Sequence, residues 1–586
     1  MKKKFNRMGT FKVEYTLSRS MERGIYKLKP LRPQMTRRLY ITYRFISSTV
    51  IQTVFVSLFM VIPVKGSLDI DLPSPLELAL ITEIKNDAST EKFYVERNFE
   101  PIWLGEDENN QKRLNAFIRA IDNLDSHGLT TDIFETQSDW DRIYLANDFE
   151  NIASTEIQIT KLFLRYAKVI NSGYLKPSEV SELIDVDKLA PLPPYYLLKG
   201  ITENNPETFL LQLAPQNDEY TVLRKTLYKL RKEIESGGWG EEILASELLP
   251  GQEGSEVIKL RNRLIRMGYL PRNTSADYNL ELKNAVQLFQ LDHGLTPNGF
   301  ANYNTIEAIN VSPDIKLESV IVALERNRWM NRSLGPWYVI VNIPEFTARF
   351  IEQGEVKFET GVVVGKSKDN LQTPEFSDEM EYIVINPIWH VPASIIIEEI
   401  IPSLRSNLES EPFISFFDKE GNSIDRTKIN FSQGYSNKSL NFTARQLPGP
   451  TNPLGGVKFM FPNSHNIYLH DSPIRNLFDR EYRAYSHGCI RLKKAHDFAR
   501  FLLTMEGLDY DTLVTKSKKL KGEHEVQLTL NIPVHITYRT VWVTSDGRVN
   551  YRKDLYERDK LVYHALTRNP IFDLYNLQNY YSELQH

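Results

Sequence analysis

Cys489 is the only cysteine in 586 residues, and it stands in the stretch YSHGCIRLKKAHDFARFLL (485–503). Nineteen residues earlier, NIYLHDSP places His470 at the end of an apolar run. A thiol becomes a strong nucleophile only as the thiolate, and an unperturbed cysteine near pKa ~8.5 is mostly protonated at neutral pH. The residues around Cys489 suggest ways to lower that value. Ala495, Phe498, Ala499 and Leu502 share one face of a helix expected to begin a few residues later, whose positive end favours a thiolate, and Arg491, Lys493 and Lys494 add charge. An imidazole within hydrogen-bond reach, supplied by His470, would complete the activation. Gly488, lacking a Cβ, lets the backbone turn tightly enough to aim the Gly488 and Cys489 amides at one point, an oxyanion hole for acyl transfer. The bland alternative is a buried small hydrophobe. A structural thiol, however, has no need of a flanking glycine, a nearby histidine and a cationic helix start.

The elements that must position these groups are legible as changes of period. WYVIVNIPEFTARFIEQGEVKFETGVVVGK (337–366) reads as strands with a hairpin at 352–355, and YIVINPIWHVP (382–392), KFMFP (458–462) and NIYLH (466–470) continue the β pattern. Further strands are expected in 527–552, with SDGR as a turn. Between them, 393–445 is a long insertion with a helix at 394–407, the kind of connection that serves as a lid. From 66 to 250 the spacing is helical; Leu162, Phe163, Tyr166, Ala167 and Ile170 share one face of a helix ended by Gly173. Three short helices follow, built on Val257, Leu260 and Leu264, on Ala285, Val286 and Phe289, and on Thr305 to Ile309, with turns at Gly268 and Gly294.

The first 44 residues carry 13 Lys or Arg against two Glu, and FISSTVIQTVFVSLFMVIPV (45–64) then carries no charge. Twenty residues at ~1.5 Å rise span about 30 Å, a bilayer's hydrocarbon thickness, so an anchor with the basic tail in the cytoplasm is expected. A cleaved signal or a buried helix are the alternatives. The net charge of −4 gives no reason to expect a nucleic-acid partner, and a single cysteine excludes an internal disulfide and any multi-cysteine zinc module.

Two resemblances follow. LRNRLIRMGY (260–269), AVQLFQLDHGL (285–295) and the closing TIEAIN (305–310) resemble the peptidoglycan-binding domain family, with Asn298 where many members carry Asp. The histidine strand followed by SHGCIR resembles the L,D-transpeptidase family over about 337–510. FEPIWL (99–104), LERNRWM (324–330), PGPTNPLG (448–455) and LHDSP (469–473) extend the likeness to its large periplasmic subgroup. The resemblance implies a multidomain α+β protein: a mainly β catalytic domain with a lid, a helical scaffold and a three-helix peptidoglycan-binding module. The expected divisions are a basic tail (1–44), an anchor (45–65), scaffold (66–250), binding module (251–312), a linker or return to the scaffold (313–336), catalytic domain (337–525, lid about 393–445), and C-terminal strands and tail packing on that domain (526–586).

The family implies Cys489 as nucleophile and His470 as base. Ser486, His487 and Gly488 would shape the loop and oxyanion hole, while Arg491, Tyr468 and Trp389 are substrate-side candidates. Arg491 takes a place where shorter members often have Asn, and the residue after the histidine, here Asp471, often lends it a backbone carbonyl. No cofactor is expected. The implied partners are peptidoglycan stem peptides, the inner membrane through 45–65, and other cell-wall synthesis proteins. The implied reaction is a thioester-mediated cross-link between third stem residues, open to carbapenem acylation, in the periplasm. L,D-carboxypeptidase action or lipoprotein attachment uses the same thioester. A non-catalytic wall-binding protein, a cysteine peptidase and a zinc enzyme using His470, His487, Cys489 and His496 are the rivals, the last disfavoured because no H-E-x-x-H is present.

Overall fold

The computed structural model describes residues 74–567 apart from 85–87, 106, 131–148, 331–332 and 521. The basic tail, the apolar segment 45–64 and the last residues after 567 lie outside the described part. Among the described residues no helix is long and apolar enough to cross a membrane.

The helical region forms as the spacing predicts. Phe149–Ser172 is one helix that buries Phe163, Tyr166, Ala167 and Ile170, and Gly173 follows it at φ +83°. Asn205 and Asn217 cap the helices Pro206–Leu213 and Asp218–Glu235 by accepting from Thr208 N–H and Tyr220 N–H. Trp103, Phe117 and Phe163 pack with ring centroids 5.3–5.7 Å apart. Inside this core sits Glu156, fully buried. Its carboxylate accepts from the amides of Ile102 (2.6 Å), Trp103 (3.1 Å) and Leu104 (3.0 Å) and from the Tyr94 hydroxyl (2.9 Å). A tight non-helical segment is thereby satisfied by one side chain rather than by water.

The next module is three helices, Ser255–Arg266, Leu280–Asp292 and Tyr303–Asn310, around their own core of Val257, Leu260, Leu264, Leu282, Val286, Phe289, Ile306 and Ile309. The 313–336 segment, expected as a linker or return to the scaffold, is mostly a helix, Pro313–Trp329, which packs Val320, Ala323 and Leu324 into the scaffold core and buries Arg326, Arg328 and Trp329.

Fifteen strands are described: β1 Trp337–Asn342, β2 Thr347–Glu352, β3 Glu355–Gly365, β4 Phe376–Ile385, β5 Trp389–Val391, β6 Ile414–Phe417, β7 Ser423–Ile424, β8 Thr443–Gln446, β9 Val457–Met460, β10 Leu469–His470, β11 Ala484–Ser486, β12 Ile490–Leu492, β13 His524–Thr537, β14 Val541–Val543 and β15 Val549–Tyr551. β2 and β3 meet at Gln353–Gly354, both at positive φ, as a tight hairpin needs. The main sheet runs β11-β3-β12-β10-β9-β4-β13-β1-β2 and returns to β3, whose first half pairs with β2 and whose second half pairs with β12. The expected boundary at 525/526 falls inside β13, which lies between β4 and β1. The C-terminal strand therefore completes the sheet instead of packing on it, because Val526, Ile532, Val534 and Ile536 are part of its core.

The insertion has a core of its own. Val391, Ile396, Ile400, Ile401, Leu404, Phe416, Phe431 and Phe442 cluster beside the small sheet β5-β8-β6-β7. Its helix runs Ala393–Ser406, widened to a π turn over Ile396–Ile400.

Replacing Glu156 by Ala strands the amides of Ile102, Trp103 and Leu104, while the Tyr94 hydroxyl keeps Thr160 at 2.8 Å, and the expected loss is about 3–5 kcal/mol of scaffold stability. Chemical denaturation measures it; a loss under about 1 kcal/mol would show that water replaces the carboxylate.

Candidate active site

Cys489 precedes β12 and His470 ends β10, and these two strands pair in parallel with Leu469 level with Ile490 and His470 level with Arg491. Side chains alternate across a strand. Leu469 and Ile490 face the core, so His470 and Arg491 project from the opposite face, while Tyr468 and Cys489 stand just before these strands and Cys489 also packs against the edge of the core. This register puts Tyr468, not His470, directly beside Cys489, with His470 on the diagonal. The Tyr468 and His470 rings stand 5.7 Å apart.

His470 is held in one tautomer. Its Nδ1 lies 2.6 Å from the Asp471 carbonyl, which can only accept, so Nδ1 carries the proton and Nε2 keeps a free lone pair. Burial lowers the imidazole pKa to about 3, with the Arg491 charge adding to the effect. The Asp471 carboxylate points elsewhere, to Gly456 N–H (3.0 Å), Arg475 (3.0 Å) and His496 (3.2 Å). Gly455 must be glycine for this packing, since a Cβ there would lie 2.2 Å from Asp471 Oδ2. Asp471 thus serves the histidine through its backbone, as the resemblance implied, and not as a charged triad member.

The thiol differs from expectation in two ways. Its hydrogen bond goes to the Asn466 carbonyl at 3.7 Å, with no sulfur–imidazole bond among the described residues. Its pKa is not lowered: burial pushes it up to about 11, against the opposing influence of Tyr468 and Arg491. The helix behind it begins only at Ala495, beyond the short reach of a terminal dipole, and Lys493 is paired with Asp479 at 3.0 Å. At rest the site therefore holds a neutral thiol and a neutral imidazole.

The loop around Cys489 is closed by its own hydrogen bonds. Ser486 Oγ donates to the Cys489 carbonyl (2.5 Å) and accepts from Gly488 N–H (3.2 Å). Gly488, at φ +111°, gives its carbonyl to the Thr373 hydroxyl at 2.7 Å, and that hydroxyl in turn accepts from Gly365 N–H at 2.9 Å. The expected pair of oxyanion donors is thereby reduced. Gly488 N–H is occupied by Ser486, while Cys489 N–H has no such partner among the described residues.

His487 turns away from the thiol. Its Nε2 lies 2.6 Å from Glu399 on the lid helix, tying the loop to the insertion. Trp389, half-buried, packs against the lid's own core. Asn466, Thr373 and Glu399 were missed from sequence; they lie 23, 115 and 88 residues from their partners and belong to no local pattern. The zinc reading finds no site: among the described residues no three His, Cys, Asp or Glu side chains converge as ligands.

Two outcomes are expected. Iodoacetamide should label Cys489 slowly at pH 7, and the rate should rise about tenfold per pH unit toward pH 10, since a raised thiol pKa keeps the thiolate scarce. A plateau reached by pH 8 would contradict the buried neutral thiol. Thr373→Val removes the Gly488 anchor, and chemical denaturation should show a loss of about 1–3 kcal/mol; an unchanged stability would show the loop holds itself.

Known families match in the same order along the chain. A model described as "Scaffold domain" matches residues 88–227, one described as "Putative peptidoglycan binding domain" matches 253–309, and one described as "L,D-transpeptidase catalytic domain" matches 336–522. A Haemophilus influenzae protein named "Putative L,D-transpeptidase" is 32% identical over 299 residues, 50% of this chain and 59% of that protein. This chain thus spans about 59% of that relative's length. L,D-transpeptidase structures from Xylanimonas cellulosilytica (TM-score 0.16, 51% of this chain and 100% of that one) and Stackebrandtia nassauensis (0.20, 50% and 96%) are each 14% identical. Overlaps this low leave the assignment to the sequence families. The chain therefore carries a catalytic domain of the L,D-transpeptidase family, preceded by a scaffold domain and a peptidoglycan-binding module.

Proposed function

We propose that the protein is an L,D-transpeptidase that acts through a cysteine thioester on peptidoglycan stem peptides. The carrying observation is that Cys489 immediately precedes β12 and His470 ends β10, its parallel neighbour, with the imidazole fixed so that Nε2 is the basic atom. Rotation of the thiol away from Asn466 brings its proton toward Nε2. Sulfur then attacks the carbonyl of the third residue of a donor tetrapeptide, and the developing oxyanion meets Cys489 N–H. Collapse breaks the amide bond; His470 returns the proton to the departing D-alanine amine, leaving the thioester. An acceptor amine, such as a diaminopimelate side chain, attacks this thioester and passes its proton by way of His470 to the released sulfur. The product is a direct link between two third residues. A neutral resting pair suits this order, because charge appears only once a peptide covers the site.

Water as acceptor would make the same site an L,D-carboxypeptidase, and a lipoprotein amine would give wall attachment. The peptidoglycan-binding module favours a polymer substrate over ordinary proteins. We place this activity in the periplasm, with 45–65 as the anchor, carbapenems as acylating inhibitors, and other wall-synthesis proteins as neighbours.

The test is incubation of the chain from residue 66 with tetrapeptide muropeptides, read by mass spectrometry. Dimers and a Cys489 adduct are expected, both lost in Cys489→Ala and reduced by at least about 10²-fold in His470→Ala. Tripeptides without dimers would favour hydrolysis, and an unchanged mixture with folded protein would refute the enzyme.

A further inference from the structure

Two cations stand on the active-site face without a counter-ion. Strand register places Lys458 of β9 opposite His470, and His470 level with Arg491. Their neighbours Phe459, Leu469 and Ile490 fill the core, so Lys458, His470 and Arg491 form one outward rung, closed at its ends by Val363 and Val384. Arg491 is half-buried, and its Nε is buried with no acceptor. Among the described residues its guanidinium makes no hydrogen bond or ion pair, and Lys458 meets no carboxylate. Elsewhere in this domain Arg349 is paired with Glu345 and Glu359, while Arg445 and Arg483, which also bury an Nε without an acceptor, lie over the rings of Phe417 and Phe346. The nearby carboxylates are already engaged, Asp471 with Gly456, Arg475 and His496, and Glu399 with His487. Burial lowers the Arg491 pKa and only the Cys489 sulfur counters it, as expected of a guanidinium facing no fixed anion. Leaving five donors half-desolvated and unpaired is costly unless a ligand supplies the acceptor.

The position fits one ligand group. In a donor peptide the attacked carbonyl carbon and the terminal carboxylate carbon are separated by three bonds, at most about 3.8 Å. Arg491 follows Cys489 by two residues, about 6.6 Å along the strand, and its long side chain spans that interval. We propose that Arg491 is the receptor for the free terminal carboxylate of the donor peptide, with Lys458 completing a cationic field on the other side of His470. This rests on the thioester reading for the peptide's placement. It deepens that reading by making a terminal carboxylate, rather than any side chain, the feature that selects the donor. A planar fork matches a carboxylate in two parallel hydrogen bonds, which a lysine does not reproduce.

The test compares a stem tetrapeptide as free acid with its C-terminal amide, binding to the full chain carrying Cys489→Ala, by calorimetry. The acid should bind about 10- to 100-fold more tightly, the range of a charge-assisted bidentate contact. Arg491→Gln should reduce acid binding by that factor and leave the amide unchanged, with thermal melting confirming the fold. Arg491→Lys should recover only part of the preference, and Lys458→Met should retain most of it. Equal binding of acid and amide overturns the proposal without any change at Arg491, as does an acid preference that survives Arg491→Gln or vanishes in Lys458→Met. Acylation of the native thiol is scored separately by mass. Normal acylation with no acid preference rejects the carboxylate receptor alone, whereas acid-selective binding without acylation rejects the thioester and leaves the receptor standing.

Discussion

Thr373 holds the nucleophile's loop, and a buried ion network holds Thr373. The Thr373 carbonyl accepts from Arg558 at 2.7 Å while its hydroxyl donates to Gly488. Two residues on, Glu375 is buried between Arg326 (2.6 Å) and Arg558 (3.3 Å), and Arg326 also reaches Asp559. Arg326 comes from the helix Pro313–Trp329, and Arg558 and Asp559 from the helix Arg558–Thr567. Three separate parts of the chain thus meet at one segment directly behind Cys489. Breaking a buried pair by removing one partner costs about 3–5 kcal/mol, because the remaining charge is stranded. The geometry of the thiol therefore depends on helices that never touch it.

Around that anchor the nucleophile and its base are both kept neutral. Burial lowers the imidazole pKa to about 3 and pushes the thiol up to about 11, so neither group ionises without the other near neutral pH. The consequence is a nucleophile protected from adventitious chemistry and dependent on a bound peptide for activation. The same low-polarity surroundings make each fixed donor or cation count for more when charge develops.

Polar contacts tie the accessory parts to the rest of the chain. Glu481, three residues before β11, accepts from Thr296 N–H (2.9 Å) and Asn304 (3.0 Å) of the three-helix module. Arg548, in the β14–β15 turn, pairs with Asp292 at 2.6 Å. On the other side Glu399 of the lid meets His487. The segment from Glu481 to Cys489 thus carries contacts to both the insertion, through His487, and the three-helix module, through Glu481.

Local pattern determined much of this by itself: the scaffold helix ended by Gly173, the three-helix module, the β hairpin at Gln353–Gly354, and a histidine at the end of an apolar strand. Those features depend on residue spacing and on conformational preferences of adjacent residues. Tertiary structure alone decided that β13 lies inside the sheet, that Trp389 packs against the lid's core, and that His487 faces Glu399. It also decided that Gly488 N–H is satisfied by Ser486 and that the thiol pKa rises rather than falls. The physical reason is that desolvation and long-range hydrogen bonding depend on what arrives from more than a hundred residues away, as Thr373 and Arg558 do, and a pattern read along the chain carries no record of it.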